Sequence, residues 1–107
     1  MTEVRDPQQC STMGEVRTGV DEVDRRLVAL IARRFGYMDA AARIKPDRAA
    51  VRDEWRKADV LAKVAAQAAA AGIDPALIAR LYEELIEASI AHEMRRWDEL
   101  NDERSAG

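Results

Sequence analysis

The chain of 107 residues is 48% hydrophobic and 35% charged, with a formal net charge of −3, which is the size and composition of one folded domain. These values exclude a multidomain enzyme with a separate cofactor-binding fold, and they exclude collagen-like and disordered chains. Because the chain has one cysteine, one histidine and an acidic balance, we expect no intrachain disulfide, no metal site and no affinity for nucleic acid.

The first 14 residues are predicted to form a flexible N-terminal lead. This segment is polar and lacks the apolar stretch of a signal peptide. No later run approaches the roughly 18 to 20 apolar residues that span a bilayer. We therefore expect a cytoplasmic protein without a membrane partner.

A long first helix is predicted from about Glu15 to Lys45. Apolar residues recur there at alternating gaps of four and three, which is the spacing of one helix face. The series is Val16, Val20, Val23, Leu27, Leu30, and then Tyr37, Ala41 and Ile44. Pro46 disfavours helical geometry at the residue before it, so the helix should end at Lys45.

Two further helices are predicted after this proline. The second begins near Arg52 or Asp53 and continues through an alanine-rich segment, since alanine is the residue least costly to fix in a helix. Gly72 suits a left-handed cap at its end, and Asp74 and Pro75 suit the N-cap and first position of the third helix. The apolar face of the third helix contains Leu77, Ile78, Leu81, Leu85, Ile86, Ile90, Met94 and Trp97.

The predicted fold class is all-α, with one helical domain over residues 15–100 and a frayed tail over residues 101–107. No stretch alternates apolar and polar residues for long enough to indicate a strand. A helix of about thirty residues is about 45 Å long, whereas a globule of this size has a radius of gyration of about 13 Å. We therefore expect an intertwined homodimer in which the first helices pack across a two-fold axis.

Charged residues occupy positions where the apolar faces should continue. Arg34 lies on the seam of the first helix, and Lys45 follows three turns later on nearly the same face. Glu93 lies on the apolar face of the third helix, one turn after Ser89. A buried Arg34–Glu93 ion pair would fix helix register. Alternatively, a small dicarboxylate would neutralise both cations, since charged hydrogen bonds to carboxylate are among the strongest available.

Arg17 is too distant to join such a site within one chain. Along a straight helix it lies about 25 Å from Arg34 and about 42 Å from Lys45. If Arg17 takes part, it must come from the other chain of the dimer.

The chain resembles the all-helical chorismate mutase family, which includes the isochorismate-pyruvate lyase branch. The resemblance covers about residues 7–97. It is carried by GEVRTGVDEVDRRLVALIARRFGYMDAAARIK in the first helix, VRDEWRK after the proline, and GIDPALIARLYEELIEASIAHE in the third helix. It implies an intertwined helical dimer.

The resemblance also implies the site residues. Arg17 would be donated by the neighbouring protomer, while Arg34 and Arg56 would hold substrate carboxylates. Lys45 would donate to the ether oxygen of the enolpyruvyl side chain, with Glu93 on its other side. The pocket would be completed by Asp53, Ser89, Ala40, Ala41 and Ile90.

The reaction implied by the resemblance is the pericyclic conversion of chorismate to prephenate, which needs no cofactor, metal or covalent intermediate. Such a reaction depends on holding a compact substrate conformer and on stabilising the negative charge that grows on the ether oxygen. An ionised Glu93 would repel that charge, so Glu93 must be protonated to assist. We therefore expect activity to fall as rising pH removes this proton.

Two alternatives to the mutase remain. The lyase, which forms salicylate and pyruvate from isochorismate, is favoured by the short loop after Lys45 and by the lead DPQQC with the region of Tyr37. Lys57 replaces a glutamate that contacts the substrate hydroxyl in typical mutases, which argues against efficient mutase activity. Asp53 and Ser89 favour the mutase, which we rank slightly higher. The other alternative is a catalytically silent helical dimerisation module, against which the converging cations argue.

Overall fold

The computed structural model describes residues 4–106, with side chains as far as residue 102. Its three α-helices are α1 (Met13–Ile44), α2 (Glu54–Ala70) and α3 (Pro75–Ala106), and short 3-10 turns lie at Pro7–Gln9 and Arg48–Ala50. No strand occurs among these residues, which confirms the all-α class and the long first helix. The described residues form two compact units that divide after Arg34, and α1 continues across this boundary.

The limits of the helices follow local signals in the sequence. Gly72 adopts a φ of 78°, as predicted for a left-handed cap. At the start of α3, the backbone N–H of Ala76 donates to Asp74 Oδ1 at 3.0 Å, and Pro75 is the first helical residue. The helix continues through residues 101–106 of the predicted tail. Residues 1–3 of the predicted lead and residue 107 of the tail lie outside the described part of the chain.

In the first unit, the N-terminal lead is attached to the start of α1. Thr12 Oγ1 accepts from the backbone N–H of Glu15 at 3.1 Å, while Glu15 Oε1 accepts from the backbone N–H groups of Ser11 and Thr12 at 3.0 and 3.1 Å. This reciprocal arrangement is a capping box. The hydrogen bonds from Ser11 lower the pKa of the Glu15 carboxyl.

The apolar seam of α1 in the first unit is open to solvent. Val20, Val23 and Leu30 are 51%, 55% and 61% exposed. A cavity of about 420 Å³ lies beside this seam and is lined mainly by Val4, Pro7, Cys10, Val16, Val20 and Val23. The first unit therefore presents a continuous apolar strip along its helix.

In the second unit, α2 and α3 pack together and enclose a small core. The buried apolar residues are Ala42, Val51, Val64, Ala68 and Ile86. Ser89 and Glu93 are also buried, at 3% and 4% exposure. Buried polar side chains need hydrogen-bond partners within the protein. Ser89 and Glu93 are therefore exceptions in an otherwise apolar core. Within the described residues, no helix is both long and apolar enough to cross a membrane.

Candidate active site

Lys45 is held at both its backbone and its side chain. It directly follows α1, and its backbone N–H donates to Ala41 O at 2.9 Å, as a helical residue would. The indole N–H of Trp97 on α3 donates to the carbonyl oxygen of Lys45 at 3.2 Å. The side chain is therefore directed from a fixed point at the end of α1.

The Lys45 ammonium forms an ion pair with the buried Glu93. Nζ lies 2.7 Å from Glu93 Oε2, and the two side chains are 28% and 5% exposed. Nζ also donates to the carbonyl oxygen of Val51 at 3.4 Å. Since an ammonium has three donors, one remains for another acceptor. The structure therefore brings together the two residues that the sequence placed at the centre of the site.

Four further predicted site residues on α1 and α3 lie within five residues of Lys45 or Glu93 along the chain. Ser89 is one turn before Glu93, and its hydroxyl donates to Leu85 O at 2.7 Å. Ile90 and Ala41 are half-buried, as is Ala40. All four of these residues are thus at least partly removed from solvent.

Asp53 and Arg56 meet at the start of α2. The backbone N–H of Arg56 donates to Asp53 Oδ1 at 3.0 Å, so Asp53 is the N-cap of this helix. The guanidinium of Arg56 is exposed and lies 2.6 Å from the carboxylate of Asp59, measured from Nη1 to Oδ2. Asp59 was not predicted as part of the site, although its i,i+3 spacing from Arg56 is a recognisable signal.

Lys57 belongs to an ion-pair network between α2, α3 and the preceding loop. Its Nζ lies 2.6 Å from Glu83 and 2.8 Å from Glu87, and its side chain is 17% exposed. Glu87 also pairs with Arg52 at 2.6 Å. Arg52 and then Lys57 lower the pKa of the Glu87 carboxyl to about 2, while Glu83 and Glu87 raise the pKa of Lys57 to about 12. The ammonium of Lys57 is thus committed to two carboxylates.

A contact between Asp39 and His92 was missed by the sequence analysis. His92 Nε2 lies 2.7 Å from Asp39 Oδ1, and the imidazole packs edge-on against Phe35 with ring centroids 4.9 Å apart. Arg95 Nη2 donates to His92 Nδ1 at 3.2 Å. Because a guanidinium can only donate, Nδ1 accepts and Nε2–H donates to Asp39. No spacing rule joins Asp39 with His92, since tertiary packing brings them together.

The two predicted site residues of the first unit lie on α1. Arg17 is exposed and Arg34 is half-buried. Their contribution to a substrate site remains a prediction.

The chain matches proteins of known family. Residues 16–94 match the family model described as chorismate mutase type II. The chain is also similar to isochorismate pyruvate lyase of Pseudomonas aeruginosa, with 29% identity over 94 residues, which covers 88% of this chain and 93% of that protein.

Proposed function

We propose, since the chain belongs to the chorismate mutase type II family, that it is an enzyme that cleaves the ether C–O bond of a chorismate-type dicarboxylate. The reaction needs no cofactor. Isochorismate pyruvate lyase activity is the first candidate, and chorismate mutase activity is the second. Both reactions place the same demand on the protein, which is to stabilise negative charge on an ether oxygen.

The observation that supports this proposal best is the environment of the Lys45 ammonium. Glu93 at 2.7 Å and Val51 O at 3.4 Å take two of its donors, and the third is left for the ether oxygen. The ammonium is oriented before substrate arrives, so it stabilises charge that develops in the transition state. Removal of one such donor lowers a rate by about 10² to 10³.

The substrate carboxylates are assigned to arginines. Arg56 presents an exposed guanidinium at the start of α2, and a planar guanidinium can bind a carboxylate through two hydrogen bonds. Arg34 is the second proposed carboxylate ligand. Arg17 is proposed to come from a second copy of the chain, because the exposed seam of α1 in the first unit supports a homodimer.

Two observations support the lyase more than the mutase, which is the reverse of the order favoured by sequence alone. The similar protein from Pseudomonas aeruginosa is an isochorismate pyruvate lyase that aligns over most of both chains. Lys57, at the position of a glutamate in typical mutases, is bound by Glu83 and Glu87 and offers no acceptor for a substrate hydroxyl. The lyase is therefore the better supported activity.

The mutase remains the second candidate because of Ser89 and Asp53. Ser89 is buried at 3% exposure one turn before Glu93, which is where a mutase pocket would be lined. Asp53 is fixed at the start of α2, although its side chain caps that helix.

The test follows both substrates separately with the purified protein. Isochorismate consumed to equal amounts of salicylate and pyruvate supports the lyase, and chorismate consumed to prephenate supports the mutase. Products are identified by chromatography and mass spectrometry. Lys45→Ala should retain the helical circular dichroism signal and lose activity by about 10² to 10³. If neither substrate is consumed and a chorismate-like dicarboxylate does not bind, the chain is the silent dimerisation module instead.

A further inference from the structure

One nitrogen of the Arg56 guanidinium, Nη1, is held by an ion pair, and the edge formed by Nε and Nη2 is open. Nη1 lies 2.6 Å from Asp59 Oδ2, one helical turn further along α2. Among the residues with described side chains, Nε and Nη2 of Arg56 have no hydrogen-bond partner, and the side chain is 58% exposed. Nε–H and Nη2–H point in the same direction, and together they can bind both oxygens of a carboxylate.

Asp59 is itself held in place. Its side chain is 21% exposed, and the same oxygen that binds Arg56 also accepts from Lys63 Nζ at 2.8 Å. Lys63 and then Arg56 lower the pKa of the Asp59 carboxyl, which is therefore ionised at neutral pH. One carboxylate between two cations leaves the cluster with a net positive charge. The cluster can therefore still attract an anion.

A carboxylate beside a ligand-binding arginine can act in two opposite ways. It can compete with the ligand for the guanidinium, or it can hold the guanidinium in a conformation that binds the ligand. The contact with Asp59 uses Nη1 and leaves the Nε–Nη2 edge open. Lys63 also offsets the negative charge that would repel a ligand carboxylate. Both features indicate that Asp59 holds the guanidinium in place and does not compete with the ligand for it.

We propose that Asp59 is a positioning residue for substrate binding, which fixes Arg56 so that its Nε–Nη2 edge receives a substrate carboxylate. This role rests on the proposed function, in which Arg56 binds that carboxylate. An arginine side chain that is already ordered loses less conformational entropy when the ligand binds. Asp59 should therefore act on substrate affinity and leave the chemical step unchanged.

The test is Asp59→Ala in the full chain, with kcat and KM measured on whichever of isochorismate and chorismate the wild-type protein consumes. We expect KM to rise about tenfold, which corresponds to about 1.4 kcal/mol, and kcat to stay within about twofold. Asp59→Asn keeps an acceptor for Nη1 and should restore KM to within about threefold of wild type. A merely structural role for Asp59 would not separate KM from kcat in this way.

Glu99→Ala is the matched control. Glu99 forms the same kind of i,i+3 ion pair with Arg96 on α3, at 3.0 Å, and its loss changes the net charge equally. KM should not rise in this variant. Removing a negative charge would by itself favour binding of an anion, so the expected rise in KM for Asp59→Ala opposes the general electrostatic effect.

The possible outcomes separate this inference from the proposed function. If Arg56→Gln raises KM and Asp59→Ala does not, the inference fails and the proposed function stands. If KM falls in Asp59→Ala, the carboxylate competes with substrate, which also overturns the inference. An equal rise in Glu99→Ala overturns it as well. If Arg56→Gln leaves KM unchanged, or neither substrate is consumed, the assignment of Arg56 fails and the inference falls with it.

Discussion

Lys45 and Glu93 form one ion pair, but replacing Lys45 should lower the free energy of unfolding more than replacing Glu93. Lys45→Met removes the ammonium and leaves the Glu93 carboxylate, 5% exposed, without its partner. Two unit charges 2.7 Å apart attract by about 6 kcal/mol at an effective dielectric constant of about 20, and their desolvation offsets much of this. Removing one member of a buried pair costs about 3 to 5 kcal/mol. Since Lys45 is 28% exposed, we expect the lower end, about 3 kcal/mol.

Glu93→Gln should cost less, about 1 kcal/mol, because the amide oxygen can still accept from Lys45 and the partly exposed ammonium can reach water. In the double variant neither charge remains, so its loss should be smaller than the sum. We expect a coupling energy of about 2 kcal/mol. Urea unfolding followed by circular dichroism, at one protomer concentration, measures all four proteins.

Lys63→Met is the matched control for this cycle. The Lys63–Asp59 pair has a similar distance of 2.8 Å, but its lysine is 61% exposed. Exposed pairs contribute little, so this variant should unfold close to the wild type. If Lys45→Met is as stable as Lys63→Met, or if the two losses simply add, then Glu93 does not depend on Lys45 and the assigned geometry is wrong.

Two further predictions concern assembly and pH. Joint refolding of Arg17→Ala and Lys45→Ala protomers, each inactive alone, should restore about a quarter of wild-type activity. Half of the randomly formed dimers are mixed, and each mixed dimer has one intact site. No recovery of activity would exclude donation of Arg17 between chains. The pKa of Glu87 is lowered from 4.5 to about 2, so its contribution to stability is present above pH 4.5 and is lost as pH falls towards 2. Glu87→Gln should therefore make the free energy of unfolding less dependent on pH across this window, and an unchanged slope would contradict the assigned ion pairs.

The sequence predicted those features that depend on neighbouring residues. Gly72 and Asp74 act as caps because a left-handed turn and an N-cap are local requirements. Lys45 and Glu93 were predicted to point inward because helical periodicity defines a face. Their direct pairing was not predicted, since the face of a helix does not fix how two helices cross. The contact of His92 with Asp39, 53 residues apart, was not predicted for the same reason.

The proposed role of Asp59 could not be predicted from the sequence for a different reason. An i,i+3 spacing from Arg56 is also that of an ordinary surface pair on a helix, and only the position of the hydrogen bond on the guanidinium indicates which edge stays open. Sequence patterns identify charges, whereas their chemical use depends on the geometry of individual atoms.

The hydrogen bond from Trp97 to Lys45 gives the site an intrinsic optical reporter. Trp97 is half-buried and its indole N–H donates to the carbonyl oxygen of Lys45, whereas Trp55 is 74% exposed. Indole emission responds to polarity and to hydrogen bonding, so the two tryptophans should differ in wavelength and in quenching by iodide. A Trp55→Phe protein would then report ligand occupancy through Trp97 alone, without a label.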